Sequence, residues 1–348
     1  MNEPTGVPRS RSKGTDTVGI KDVARHAGVS VTTVSNVLNS TNRISPATRR
    51  RVQASIQELG YVRNAAAHQL RAGSSTTIGL IVPDGSNPFY SAIARGAEDA
   101  ALARGGTVLV GNSHESLERE SRYIDIFEQQ RVQGVLLAPV ADAAVRIEHL
   151  RTRGIRAVIV GHVGQPILCS SVSIDNVSGG YLAMKHLIDG GARRLAFLGP
   201  TAVLGSADRL AGARVAIAES DSVSLEVLEP GGLSVSAGRE SGARIIDRGV
   251  ASLPDGIFCA NDLLATGVLH AFLETRQVRV PDDVALIGYD DNDFAASAIV
   301  PLSSIRQPAE LIGRTAVELL AQELDAPEMQ HRHVLFPPEL VVRASSGR

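Results

Sequence analysis

Along Asp22–Asn39, DVARHAGVSVTTVSNVLN, the apolar positions fall into two short helical patterns with a glycine between them. Val23, Ala24 and Ala27 share one face of a first helix, and Gly28 supplies the left-handed φ that ends it. Ser30 is placed to cap a second helix, whose Val34, Val37 and Leu38 face back onto the first. Its outer face carries Val31, Thr32, Ser35, Asn36 and Asn39, with Ser30 and Thr33 at the first turn. Short, mostly polar side chains of this kind suit a helix that enters a DNA major groove and reads base edges. A small helical hairpin inside any α-rich domain has the same internal pattern. A third helix is predicted where Ser45 caps, Pro46 takes the first turn, Val52, Ile56 and Leu59 form a stripe and Gly60 stops the run. Arg49, Arg50 and Arg51 lie on its early turns, within reach of a phosphate backbone.

After Ala72-Gly73-Ser74-Ser75 the pattern changes to short apolar runs alternating with amphipathic stretches. Strands are predicted at Ile78–Val82, Thr107–Val110, Gly134–Ala138, Ala157–Val160, Val172–Ile174, Leu195–Leu198, Leu225–Leu228, Gly256–Cys259 and Val284–Ile287. Helices are predicted at Phe89–Arg104, Glu115–Arg131, Ala143–Thr152, Ser178–Asp189, Asp208–Ala218, Val235–Arg248 and Asp262–Thr275. Such alternation means parallel sheets covered on both faces. There are too many repeats for one comfortable open sheet, so two doubly wound parallel-sheet subdomains are expected beside the small all-α helix-turn-helix headpiece. The expected boundaries are a disordered arm over 1–17, a headpiece over 18–60, a hinge and linker over 61–75, and a bilobed body over 76–346. Within the body the first lobe takes about 76–175 and 306–328, and the second about 176–305 and 329–346.

Composition changes this picture mainly through charge. The overall net charge of −2 conceals a split: residues 1–75 hold 11 Lys/Arg against 4 Asp/Glu, a net of +7, which leaves −9 for the remainder. A basic head on an acidic body fits a nucleic-acid-binding head. Cys169 and Cys259 are too few for a disulfide framework. Arg9, Arg11 and Lys13 are followed by no apolar run of a secretory signal, and no stretch approaches the roughly 18 residues that span a bilayer. A cytoplasmic protein with no membrane partner is expected.

Ile20, Asp22, Val23, Ala24, Ala27, Gly28, Val29, Ser30, Thr33, Val34, Ser35, Val37, Leu38 and Asn39 together resemble the N-terminal signature of the lactose-repressor (LacI) family, T-I-x-D-V-A-x-x-A-G-V-S-x-x-T-V-S-x-V-L-N. Gly19 stands where that family usually has a capping Thr, a weaker but workable cap. Tyr61, Asn64, Ala67 and Leu70 are similar to the family's hinge pattern Y-x-x-N-x-x-A-x-x-L. The resemblance implies a short helix that forms on operator DNA and wedges Leu70 into the minor groove, as apolar wedges do elsewhere. So short a segment does not hold a helix alone, and a plain linker is the alternative. Further matches follow in order: Ile78–Asp84 with Asn87-Pro88-Phe89-Tyr90, Gly111-Asn112-Ser113, Ser173–Asn176, Arg209–Gly212, Ala260-Asn261-Asp262, Ile287–Asp290 and Ile305–Pro308. The resemblance covers nearly all of residues 19–346 and implies the bilobed fold of periplasmic sugar-binding proteins.

In such folds ligands bind at the carboxyl ends of the strands, between the lobes. Asp84 and Phe89, Ser113, Arg209, Asn261 and Asp290 each follow a predicted strand, and Tyr90 adjoins Phe89. Two carboxylates, a guanidinium, a carboxamide and an aromatic face suit vicinal hydroxyls and the apolar face of a ring. The resemblance implies that Arg209, Asn261 and Asp290 contact an effector and that Phe89 and Tyr90 line it. Structural alternatives exist, with Asp290 simply pairing Arg209 and Phe89 lying in the core. Leu233 occupies a loop where the family often has an aromatic lid. G-x-S-x-G, G-x-x-x-x-G-K-[ST] and H-E-x-x-H are absent, and His331 and His333 read as a solvated strand face, so no catalytic site, metal or cofactor is expected. The expected protein is a ligand-responsive regulator, a repressor of a carbohydrate-utilisation operon. It would bind a palindromic operator in double-stranded DNA as a homodimer, under the control of a small sugar or sugar derivative. A sugar-binding or sugar-modifying protein with a vestigial headpiece is the alternative.

Overall fold

The computed structural model describes residues 18–38, 44–61, 75–162, 168–326, 328 and 330–347. The chain divides into two units, Met1–Ser74 and Ser75–Arg348.

The first unit contains α1 (Ile20–Ala27), α2 (Val31–Leu38) and α3 (Pro46–Leu59). The Asp22 carboxylate accepts from the Gly19 N–H at 3.0 Å, which supplies the reciprocal half of a capping box that glycine cannot make itself. Gly28 and Gly60 close α1 and α3 in the left-handed conformation, each at φ 61°. Val23, Ala24, Ala27, Val34, Val37 and Val52 form the core. The stripe of α3 also includes Ser55, buried because its hydroxyl donates to the Arg51 carbonyl at 3.0 Å and meets His26 Nδ1 at 3.0 Å.

The second unit is built on two sheets. In chain order its elements are β1 (Thr77–Val82), α4 (Pro88–Ala103), β2 (Thr107–Asn112), α5 (Leu117–Gln129), β3 (Gly134–Leu137), α6 (Ala144–Thr152), β4 (Arg156–Val160), β5 (Ser170–Ile174), α7 (Asn176–Asp189), β6 (Arg194–Leu198), α8 (Leu204–Ala218), β7 (Ser224–Leu228) and α9 (Val235–Asp247). There follow β8 (Gly256–Cys259), α10 (Asp262–Thr275), β9 (Ala285–Asp290), α11 (Asp293–Ser297), β10 (Ser303–Arg306), α12 (Ala309–Asp325), β11 (His333–Phe336) and β12 (Glu339–Val341). The first sheet has the order β11-β5-β4-β3-β1-β2, and the second β12-β10-β9-β8-β6-β7. Every pairing is parallel except β10 with β12. Leu80, Val82, Leu136, Val158 and Val160 pack on one face of the first sheet, Ile81, Val135, Leu137 and Ile159 on the other, so both faces are buried.

Three chain crossings join the lobes. After β5 the chain enters α7 of the second lobe, after β10 it returns into α12 of the first, and after β11 it leaves again for β12. The last crossing corrects an expected boundary: His333–Phe336, placed above in the second lobe, pairs with Ser171–Ile174 in the first sheet. The break falls instead at Pro337-Pro338, where neither residue has an N–H to continue a strand ladder. Within each lobe the helices that flank the sheet approach through glycine. A Cβ on Gly180 would collide with the Arg209 carbonyl, and one on Gly212 with that of Val177. This backbone contact between α7 and α8 fixes the height at which Arg209 emerges.

Candidate functional sites

On the headpiece, Ser30 caps α2 by accepting from the Thr33 N–H at 3.1 Å, and the two hydroxyls lie 2.9 Å apart. Ser30 and Thr33 are thereby engaged with each other in the cap. Thr32 is exposed, and Ser35 and Asn36 are half-buried. Val31 is also half-buried and packs against the headpiece core, so it stands less freely than its outer-face position suggests. Lys21, Arg25, Arg50 and Arg51 are exposed or half-buried at the headpiece surface. Asn39, Asn64, Ala67 and Leu70 lie outside the described residues, as does the arm over 1–17.

In the body, a cavity of about 90 Å³ lies between the lobes, lined among others by Asp84, Asn87, Phe89, Tyr90, Glu115, His162, Ser206, Arg209, Leu233, Asn261, Asp290 and Gln307. Two loops aim carboxylates into it. After β2, His114 and Glu115 adopt φ 48° and 57°; at the end of β9, Asp290 and Asp291 adopt 113° and 55°. Left-handed backbone at residues other than glycine is strained by about 1–3 kcal/mol each and persists where the surrounding structure enforces it. Four of the seven such residues among those described sit at the two places where acidic groups face the cavity.

Asp290 does not pair with Arg209. Gln307 Nε2 donates to Asp290 Oδ1 at 2.7 Å, while Oδ2 has no hydrogen-bond partner among the described residues. Burial pushes the Asp290 carboxyl up to about 6, held back by the Arg209 guanidinium and by the Gln307 and Asn87 amides. Arg209 is engaged elsewhere: Nε donates to Asn176 Oδ1 at 2.9 Å, Nη1 donates to the Ala260 carbonyl, and the guanidinium lies 3.7 Å from the Tyr289 ring centroid. Phe89 is both core and cavity wall, 8% exposed and set edge-on to Tyr90 with centroids 5.1 Å apart. Burial, then the Asp290 charge, raises the Tyr90 phenol above its ordinary range and keeps it a protonated donor. Glu115 is pushed up by burial and by Asp84.

Two expected contacts change character. Ser113 does not line the cavity: its fully buried hydroxyl donates to the Val82 carbonyl at 3.3 Å, because β2 continues through Asn112 and the chain turns inward only at Glu115. Asn261 does line it, but Oδ1 caps α10 at the Leu264 N–H, and Nδ2 holds the Leu233 carbonyl at 3.0 Å. Asn87, Glu115, His162, Ser206 and Gln307 escaped the sequence reading. Asn87 and Gln307 sat inside recognised motifs without an assigned role, and Glu115 follows a strand that runs two residues beyond its predicted end. His162 carried no signal, since it is matched only in three dimensions, by Asp208 of the other lobe at 3.7 Å. His331 and His333 are engaged with Glu323 and Ser171 at 2.9 and 2.8 Å.

A three-helix unit with a capped second helix, in one chain with a two-lobed α/β body that has a cavity between its lobes, defines the class of ligand-controlled DNA-binding regulators. Known proteins agree. A family model described as bacterial regulatory proteins, lacI family, matches residues 19–64, and one described as a periplasmic binding protein-like domain matches 184–346. The HTH-type transcriptional repressor PurR of Photobacterium profundum is 33% identical over 330 residues, 94% of this chain and 98% of that protein. The HTH-type transcriptional regulator DegA of Bacillus subtilis (strain 168) is 32% identical over 333 residues, 94% and 98% of the two chains. A lac repressor dimer bound to operator and the anti-inducer ONPF superposes with a TM-score of 0.83 at 28% identity, covering 96% of this chain and 100% of that one. A CelR–cellobiose complex does so at 0.70 and 31% identity, covering 94% and 99%. The chain belongs to the LacI family of DNA-binding transcriptional regulators. Among the described residues no helix is long and apolar enough to cross a membrane.

Proposed function

We propose that this protein is a cytoplasmic repressor that binds a palindromic operator as a homodimer and senses a small sugar-like effector in the interlobe cavity. One headpiece reads a half-site, so two copies related by a two-fold axis match a palindrome. The observation that carries the sensing role is the buried Asp290 oxygen without a partner, aimed into a cavity whose walls come from both lobes. An effector that bridges Asp84 or Phe89 to Arg209 or Asp290 favours one lobe angle. It shifts operator affinity only by its differential affinity for the two states, typically about 1–3 kcal/mol. The cleft is read as a sensor, not an active site. Operator affinity, measured on genomic fragments across a salt series, tests the reading: it should fall steeply with salt, because Lys21, Arg25, Arg49, Arg50 and Arg51 meet phosphates. Asn36→Ala should weaken binding by about 1–3 kcal/mol at one base pair per half-site. Leu70→Ala should lose operator affinity and keep effector binding, and Asp290→Ala should do the reverse. An Asp290→Ala protein that responds normally to effector removes the cavity from the mechanism.

A further inference from the structure

Resting on the cavity as the effector site, we propose that the effector carries a protonated amine, as an amino sugar or other aminated polyol does, and that Asp84 and Glu115 receive that group. The cavity holds three carboxylates, Asp84, Glu115 and Asp290, against one guanidinium and one imidazole. The Arg209 guanidinium is turned to Asn176, Ala260 and the Tyr289 ring, and His162 faces Asp208. None of the three carboxylates has a cation within ion-pair distance among the described residues. Elsewhere in the body, Glu120 is matched by Arg146, Asp291 by Arg306 and Arg343 at 2.8 and 2.6 Å, and Glu323 by His331 at 2.9 Å. Asp262, fully buried, is held instead by the Ser304 hydroxyl and the Asn292 N–H, so the acids inside the lobes are met by protein groups, whereas half-buried Asp84 and exposed Glu115 at the cavity face no cation.

A neutral polyol would satisfy hydrogen-bonding capacity here and leave the charge. An ammonium satisfies both, because its three donors reach acceptor oxygens while its charge offsets theirs. Asp84 Oδ1 already accepts from the Ser86 N–H and hydroxyl at 2.9 and 2.7 Å, which fixes the carboxylate in place and leaves Oδ2 for a ligand. Glu115 accepts no hydrogen bond from a described residue and is presented by two consecutive left-handed residues. Two further groups point to a ligand independently of this acidic pair. Asp290 is 7% exposed with an unpartnered oxygen, and Ser206 is 2% exposed with an unpartnered hydroxyl, and both line the same cavity. They suit the hydroxyls of the ring that bears the amine. The same charge balance disfavours phosphorylated and carboxylated ligands.

Titration calorimetry on the full chain at about pH 6.5, below the ordinary range of an amine, tests the proposal. The probes are glucosamine, galactosamine and mannosamine, each beside its neutral hexose, its N-acetyl form and its 6-phosphate. At least one amino sugar should bind tenfold or more tightly than all three of its counterparts. Glu115→Gln and Asp84→Asn, checked for native circular dichroism, should each reduce that preference severalfold. A neutral hexose or N-acetyl form that binds as well as the amine overturns the proposal while leaving the effector site intact. Binding led by the 6-phosphates, or a preference unchanged in both variants, overturns it as well. Silence from the whole panel counts against the amine and leaves the effector reading to be judged by the Asp290→Ala response to other ligands.

Discussion

Glu120 stands behind the cavity wall in the first lobe and Asp290 stands on the wall; both are buried carboxylates, and the fold treats them in opposite ways. Glu120 is fully buried on α5; it takes the Val140 N–H at 3.0 Å and pairs with Arg146, whose guanidinium also holds the carbonyls of Ala141 and Asp142 at 3.0 and 2.8 Å. Burial pushes its carboxyl up, and the Val140 N–H and Arg146 pull it back. This closed network fixes the loop that contributes Ala138, Pro139 and Val140 to the cavity wall. Asp290, by contrast, has one oxygen held by Gln307 and the other open. Burial alone therefore does not mark a site. Glu120, met by a cation and a backbone N–H, builds the wall, and Asp290, with no ion pair and no hydrogen-bond partner on its second oxygen, faces what the wall surrounds.

The largest effect should come from opening the closed network. Arg146→Met leaves Glu120 buried without its cation, and stability to urea should fall by about 3–5 kcal/mol. A loss under about 1 kcal/mol would mean that one backbone hydrogen bond, from the Val140 N–H, suffices and that the two acids differ less than their geometry implies. Asp290→Asn should instead leave the fold at least as stable at neutral pH but weaken effector binding by roughly 1.5–3 kcal/mol, the worth of a hydrogen bond to a charged group. Calorimetry beside the same urea titration separates the two costs, and equal losses in both would put Asp290 with the structural acids.

The last contrast is in pH dependence. The Asp290 carboxyl sits at about 6 in the folded chain against an ordinary 3.8, so between those values the native state holds the extra proton. Wild type should therefore lose stability relative to Asp290→Asn as pH rises across that window, with the gap constant above it. Effector binding runs the other way. Donors from the ligand favour the carboxylate, so affinity should weaken as pH falls below about 6. A profile flat from about pH 5 to 7 would place the ligand's donors on other groups.

Much of this protein follows from local pattern. The helical spacing of Val23, Ala27, Val34 and Val37, with Gly28 and Ser30 between them, determines two helices and their turn, because caps and left-handed residues act within a few positions of chain. Apolar runs alternating with helices likewise determine two parallel sheets, since only helices on both faces bury such strands. The strand ends also placed Asp84, Arg209 and Asp290 around one cavity. Other features were decided only in three dimensions. The strand His333–Phe336 joins the first sheet because the edge of β5 is free to pair there, a fact about another part of the fold. Short elements such as α11 (Asp293–Ser297) hold no full apolar period and form where packing permits. And whether a polar side chain is open or engaged depends on partners far away in sequence. Arg209 turns from Asp290 because Asn176, Ala260 and Tyr289 meet it first, and Ser113 turns to Val82 because its strand runs on. Hydrogen bonds saturate, so the chemistry left over for a ligand is what folding has not already used, and that remainder belongs to the tertiary structure.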